Sequence, residues 1–168
     1  MVKCLTACLL LCCVSGCGYT WTSTLDGDGT RRTVHLDTVE NRLFPHRPGL
    51  EYELTDRLKE EIAVDRRLVL TDGGGDVKLK VSLTRFTEPN VVEDLETGEP
   101  AEILLRATAT VEAYGEEFTG GRVRRKVTVS VSYTPFLGDS RRDGLDRLWR
   151  NLAREILDVA ADKEWAAN

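Results

Sequence analysis

The sequence predicts an α+β fold: a mostly antiparallel, mixed sheet of four strands with two helices on one face, in the order β-α-β-β-β-α. Three observations predict it. Four stretches alternate apolar and polar residues with period two, the pattern of half-buried strands. Two longer stretches carry apolar residues at i, i+3, i+4 and i+7, the pattern of amphipathic helices. In these strands one set of alternate side chains is apolar and the other, Val39 and Leu104 apart, is polar, so one sheet face is covered and the other is polar. Both helices are therefore most economically placed on the apolar face.

The first stretch precedes that domain. Lys3 supplies a positive start, Leu5 to Val14 an apolar run, and Val14-Ser15-Gly16-Cys17 its end. This is the layout of a secretory signal, with an apolar core of about 7–15 residues. The run is shorter than the roughly 20 residues that cross a bilayer. An aliphatic-small-Gly-Cys end resembles the bacterial lipobox at four consecutive positions. That resemblance implies a lipoprotein signal peptide over 1–16 and acylation of Cys17, with palmitate among the chains and Cys17 as the first mature residue. Several acyl chains anchor firmly where one anchors weakly, since each buried CH₂ contributes roughly 0.8 kcal/mol. Gly18, in place of Asp, resembles lipoproteins sorted to the outer membrane. Residues 17–32, with Gly18, Gly27 and Gly29, are then a lipidated N-terminus and tether, and 33–165 form a single domain. Tyr19 and Trp21 lie near the anchor, suited either to the headgroup level or to packing on the domain.

Composition narrows the function classes. The formal net charge is −5, and removing Lys3 with the signal takes it to −6. Nucleic acid, whose phosphates call for a surplus of Lys and Arg, is not expected as a partner. All five cysteines (4, 8, 12, 13 and 17) lie in the signal or at its end, so no disulfide framework is available to the domain. Stability must come from a hydrophobic core.

Along the chain, Thr33 to Val39 alternates as a strand. Pro45, Pro48 and Gly49 mark a loop and a helix start. Leu50, Leu54, Leu58 and Ile62 form one stripe, predicting a helix from about Pro48 to Asp65. Glu51 and Glu53 stand in its first turn and Arg66 and Arg67 near its end, in the sense of the macrodipole. Arg67 to Leu70 is a short extended piece, and Thr71 to Gly75 a turn. Val77, Leu79, Val81 and Leu83 form the apolar face of the second strand. Ile103, Leu105, Ala107, Ala109, Val111 and Ala113 form that of the third, and Val127, Val129 and Val131 that of the fourth. Glu88 to Pro100 is a long acidic connection, and Gly115 to Gly121 a shorter one. A second helix spans roughly Ser140 to Lys163 on Leu145, Leu148, Trp149, Leu152, Ile156 and Val159, with Asp139 or Ser140 as its cap.

Several of these residues together resemble a known family. They are Cys17-Gly18-Tyr19 after the lipobox, Val39-Glu40-Asn41 ending a strand, Arg47-Pro48-Gly49-Leu50-Glu51 with Leu54-Thr55 opening a helix, and Asp76-Val77-Lys78-Leu79-Lys80-Val81 starting a long strand. The chain resembles the LptE family, lipoproteins of lipopolysaccharide assembly at the outer membrane. The resemblance implies a two-layer sandwich, a four-stranded sheet with two helices on one side. It also implies a non-catalytic plug for the LptD-type β-barrel, which helps the barrel assemble and assists insertion of lipopolysaccharide into the outer leaflet. Partners are then the barrel, lipopolysaccharide and the membrane reached through the lipid, on the periplasmic side; the covalent lipid on Cys17 is the only expected cofactor.

Few side chains suggest chemistry of their own. His35 falls on the polar face of its strand and His46 in a Pro-flanked loop, neither with partners at metal spacing. No Gly-x-Ser-x-Gly elbow is present. Gly73-Gly74-Gly75 lacks the Lys-Ser/Thr of a phosphate loop and reads as a turn. Acidic pairs such as Glu60 and Glu61 are abundant and none stands out, so no catalytic or metal site is expected. Lys78, Lys80, Arg106, Arg124 and Lys126, however, share the polar sheet face among Thr and Ser residues. Consecutive hairpins would place Lys78 near Thr110 and Lys126. Such a cluster suits the phosphates of a lipopolysaccharide headgroup, or the polar lumen of a barrel; a solvated, edge-protecting face is the plainer alternative. Arg141, Arg142, Arg147, Arg150 and Arg154 are interleaved with acids and expected to pair within the last helix. Two rival functions share parts of this reading: an envelope lipoprotein that regulates a cell-wall synthase or docks on a secretion complex, and a hydrolase of envelope glycans. The second needs a carboxylate of raised pKa in a cleft.

Overall fold

The computed structural model describes residues 31–93, 95, 98 and 100–161. The signal, Cys17, the tether up to residue 30, Tyr19 and Trp21 lie outside the described residues. Among the described residues seven strands and two α-helices occur in chain order: β1 (Arg32–Leu36), β2 (Glu40–Asn41), α1 (Leu50–Val64), β3 (Leu68–Leu70), β4 (Val77–Thr87), β5 (Asn90–Glu93), β6 (Pro100–Tyr114), β7 (Arg122–Tyr133) and α2 (Arg141–Ala161). The class is the α+β sandwich that the alternation predicts. The four expected strands are β1, β4, β6 and β7, and the sheet carries three short additional ones.

β1 pairs in parallel with β3 and with β4, and β4, β6 and β7 continue antiparallel. β2 pairs with β4 beyond β1, so it prolongs the β1 line. Ile103 of β6 pairs with Asn90 on one side and Tyr133 on the other, which places β5 on the β4 line. Across the middle the order is therefore β3-β1-β4-β6-β7.

Two irregularities depart from simple period-two alternation. The offset between partners changes from Leu36↔Leu79 to Glu40↔Ser82, so one extra residue sits between β1 and β2. Val34 and Val39 both reach the core although their numbers differ in parity. A bulge between Leu83 and Arg85 likewise turns Phe86 inward after Val77, Leu79, Val81 and Leu83. A bulge inserts one unpaired residue and re-aims the side chains beyond it. Phe86 then stacks on Trp149 at 5.7 Å.

Both helices cover the apolar face. Leu50, Leu54, Leu58 and Ile62 of α1 are buried, as are Leu145, Leu148, Trp149, Leu152, Ile156 and Val159 of α2. One continuous core joins them to the sheet. The Ser140 hydroxyl accepts the Asp143 amide at 3.1 Å and so caps α2, while Asp139 pairs with Arg147 at 2.6 Å. Arg66 and Arg67 fall beyond the end of α1. The Arg67 guanidinium reaches Asp65 and, at 2.7 Å, Asp158 of α2, where it ties the two helices together. The expectation of intrahelical pairing on α2 holds for Arg150–Asp146; Arg141, Arg147 and Arg154 pair instead with Glu88, Asp139 and Glu61. Glu88 lies in the β4–β5 connection, Asp139 in the turn before α2 and Glu61 on α1, so these side chains reach acids off their own helix.

Gly144 lets α2 lie against the sheet. A Cβ there would stand 3.0 Å from Leu105 Cδ1 and 3.1 Å from Tyr133 Cδ1. Gly144→Val is expected to destabilise the protein by about 1–3 kcal/mol through overpacking, read by urea denaturation. An unchanged midpoint would show that α2 moves outward freely.

Candidate functional site

The polar sheet face is built by the residues that alternate with the core. Cross-strand rows run Lys78–Tyr114–Arg122, Lys80–Glu112–Arg124 and Ser82–Thr110–Lys126, then Thr108–Thr128 and Arg106–Ser130. All five predicted cations lie on this face. Their predicted register does not hold: Lys78 stands four residues along β6 from Thr110, about 13 Å. The reason is length, because β4 extends to Thr87 through its bulge and β6 begins already at Pro100.

The upper rows are mixed in charge. Lys78 Nζ is 3.4 Å from Asp37, Arg124 Nε is 3.3 Å from Glu112, and Lys80 Nζ lies 5.8 Å from the Tyr114 ring centroid. Asp37, Glu40, Arg42, Lys80, Glu112 and Arg124 help to line a recess of about 330 Å³. The Tyr114 hydroxyl donates to Glu112 at 2.7 Å and, with the cations around it, holds that carboxyl below its usual pKa. Glu40 is held low first by the Arg42 guanidinium, 2.8 Å away.

Further along, hydroxyls replace carboxylates. Thr108 and Thr128 share a hydrogen bond at 3.0 Å, and Arg106 Nε donates to Ser130 at 2.9 Å. Lys126 has no carboxylate partner among the described residues. This part offers cationic and hydroxyl donors without an opposing acid. Sequence reasoning missed Arg122, which the same period-two count would have found. It also missed Asp37, Glu40 and Glu112 as neutralising partners; β2 was the hidden signal for Glu40.

The histidine at position 35 has local partners: Nδ1 lies 3.3 Å from the Thr71 carbonyl and Nε2 3.3 Å from Asp37. Among the described residues no three His, Cys, Asp or Glu side chains gather at metal-holding geometry. The glycine-rich turn serves close approach, since a Cβ on Gly75 would meet the Thr33 carbonyl at 2.9 Å. Beside it, Arg32 begins β1, one residue ahead of the predicted strand. Its guanidinium donates to the carbonyl of Ala161 at 2.9 Å, at the negative end of α2, and pairs with Glu117 at 3.2 Å.

Carboxyl groups tie the sheet together and predict its acid response. Asp76 accepts from the Thr33 amide and hydroxyl, both at 2.8 Å, and these bonds lower its pKa. Asp65 is also lowered: burial alone would raise it, but Arg67 outweighs burial. A depressed folded pKa contributes stability that is complete above the ordinary carboxylate value near 4 and is lost as pH falls through the lower folded value. Stability is therefore expected to stay flat from pH 7 to about 5 and to drop below about 4. Asp76→Asn should flatten that drop in urea titrations across pH.

The fold and this face define an α+β sandwich that presents a polar surface of cations and hydroxyls on one side and two covering helices on the other. The chain belongs to the LptE family, whose description is lipopolysaccharide-assembly and whose model matches residues 31–159. Among solved structures it is similar to the hypothetical protein CT253 from Chlamydia trachomatis, at 9% identity and a TM-score of 0.56, covering 79% of this chain and 96% of that one. It is similar also to protein XCC0632 from Xanthomonas campestris, at 11% identity and a TM-score of 0.56, covering 82% and 88%. Rare lipoprotein B from Shewanella oneidensis aligns at 19% identity and a TM-score of 0.49, covering 78% and 96%. At these identities the likeness concerns the fold alone. No curated protein matches the chain. No helix among the described residues is long and apolar enough to cross a membrane.

Proposed function

We propose that this protein is a non-catalytic lipoprotein of the outer membrane that occupies and helps assemble an LptD-type β-barrel. In this reading Cys17 carries the lipid, the domain faces the periplasmic side, and the barrel inserts lipopolysaccharide into the outer leaflet. The family match over residues 31–159 carries the reading. The polar sheet face supports it: Lys78, Lys80, Arg106, Arg124 and Lys126, with the intervening Thr and Ser hydroxyls, suit lipopolysaccharide phosphates or a hydrated lumen. Within that group Lys126 and Arg106 are the stronger candidates for contact, because Lys78 and Arg124 already have carboxylate partners.

The test is purification of the tagged, lipidated protein from native membranes in mild detergent, with identification of the proteins that accompany it. A large β-barrel in stoichiometric amount is the expected result. Recovery alone, or with peptidoglycan synthases, overturns the transport assignment.

A further inference from the structure

β7 forms the outer edge of the sheet. Its twelve residues pair with β6 from Ile103↔Tyr133 to Tyr114↔Arg122 without a register shift. Among the described residues no strand pairs with its other side. β6 sets the direction of its peptide groups. The Thr108 carbonyl accepts from the Thr84 hydroxyl at 3.1 Å and the Leu104 amide donates to Pro89 at 3.0 Å, both away from β7. Thr108–Thr128 and Leu104–Ser132 are therefore non-hydrogen-bonded pairs. Thr128 and Ser132 then aim their amides and carbonyls off the sheet, and Arg147 reaches the Ser132 carbonyl at 3.2 Å. By alternation Arg124, Lys126 and Ser130 do the same. Val127, Val129 and Val131, on the helix-facing side, are only partly buried. Charge is unevenly spread along the strand: Arg122, Arg124, Arg125 and Lys126 occupy its first half, and Val127 to Tyr133 carry none. Natural sheets shield an edge with charge, proline or a bulge; that second half has none of these.

We infer that this edge pairs with β7 of a second copy of the chain, antiparallel about a two-fold axis beside Thr128. A two-fold contact must be self-complementary, because each residue pair occurs twice. In this register Thr128 faces the second copy's Thr128, Lys126 faces its Ser130 and Arg124 faces its Ser132. These are the residues whose peptide groups point outward, so each pair exchanges both backbone hydrogen bonds. The second lone pair of the Ser132 carbonyl remains for Arg147. The charges fit the same register. Each of these cations stands opposite a serine, and the charged half of one strand lies along the uncharged half of the other. An axis beside Lys126 or Arg125 would instead set cation directly against cation, which is destabilising. On the helix-facing side Val127 meets the second copy's Val129 in a non-hydrogen-bonded pair, where side chains approach closest, and their exposed flanks leave water. A ladder of donors and acceptors alone would accept any extended chain. The division of β7 into a cationic half and an uncharged half is what matches a copy of itself. The two polar faces then join into one surface, with Lys126 of one copy beside the Thr128 and Ser130 hydroxyls of the other.

The experiment is native mass spectrometry of the full chain purified from membranes in mild detergent, over a dilution series, compared with Thr128→Pro and Thr128→Lys. The Thr128 amide points off the sheet, so proline there removes no hydrogen bond to β6. Lysine at this exposed position would meet its own copy across the axis, and it keeps the test valid if the proline variant does not fold. The wild type is expected to carry the mass of two chains, and the folded variants to dissociate at least about tenfold more readily. A wild type that stays monomeric at every concentration overturns the inference, and so does a dimer that the variants leave unchanged. A second measurement oxidises Thr128→Cys in native membranes. Hydrogen-bonded partners stand about 5.5 Å apart, within disulfide reach, so a bridge between two copies is expected, identified by mass spectrometry of the bridged peptides. Lys59→Cys, exposed on α1, should give none. Absence of a bridge at Thr128→Cys overturns the inference, as does an equal yield at Lys59→Cys or a bridge to a barrel strand in place of a second copy. Neither readout depends on lipopolysaccharide transport, so this inference and the proposed function fail separately.

Discussion

Leu148→Ala should destabilise the domain by about 3 kcal/mol, within the range of about 2–5 kcal/mol for emptying a buried leucine site. Leu148 is fully buried on the sheet-facing side of α2, in the core shared with β4, β6 and α1. The loss combines the transfer free energy of the missing methyl and methylene groups with the cavity they leave, which a close-packed interior does not refill. Against a total stability of about 5–15 kcal/mol, that is a large fraction. Chemical denaturation of the purified protein at pH 7 measures it, with Leu137→Ala as the comparison. Leu137 is exposed in the turn before α2, and its truncation should move the midpoint by no more than about 0.5 kcal/mol equivalent. A loss below about 1 kcal/mol at Leu148 would mean that α2 is not seated on the sheet as described.

Reversing two charges on the polar sheet face, Lys80→Glu with Lys126→Glu, should weaken binding to purified lipopolysaccharide at least tenfold, equivalent to about 1.4 kcal/mol. Both side chains point away from the core, so the fold should survive. Lys80→Glu sets a further carboxylate beside Glu40 and Glu112, and Lys126→Glu removes a cation that lacks a carboxylate partner among the described residues. Hydrogen bonds from cations to phosphate contribute more than neutral ones, and their long-range part is screened by salt. The affinity of the wild type should therefore fall as salt rises, and that of the variant should be nearly flat. Calorimetric titration at two ionic strengths reads both effects. Arg150→Glu, on the far side of the helix layer and paired with Asp146 at 2.5 Å, should leave binding unchanged. Equal affinities in wild type and double variant would remove the ligand role from this face.

How much of the fold and site was legible in the sequence varied by element. The stripe Leu50, Leu54, Leu58 and Ile62 located α1 within two residues at its start and one at its end. The alternation of β4, β6 and β7 identified their inner faces, because a side chain's face depends only on position along its own strand. The candidate cations were assigned to the correct face for the same reason. Their neighbours were not. Which residue of β4 meets which of β6 depends on where each strand ends and on the bulge at Leu83/Arg85, and no local pattern encodes either. The pairing of Lys78 with Asp37, and of Arg124 with Glu112, is a consequence of that register.

By itself the sequence determined the class of fold, the order of its main elements, the two faces of the sheet and the family resemblance. Each of these rests on periodicities and short motifs that act over short stretches of chain. Only the tertiary structure decided that β1 runs parallel to β4 between two neighbours, that Phe86 turns inward to meet Trp149, and that Arg32 closes the end of α2. These depend on contacts between residues far apart in the chain, whose free energy arises only when separate elements pack together. The same holds for the electrostatics of the polar face: its cations are written in the sequence, but the carboxylates that neutralise some and spare others are brought there by the fold.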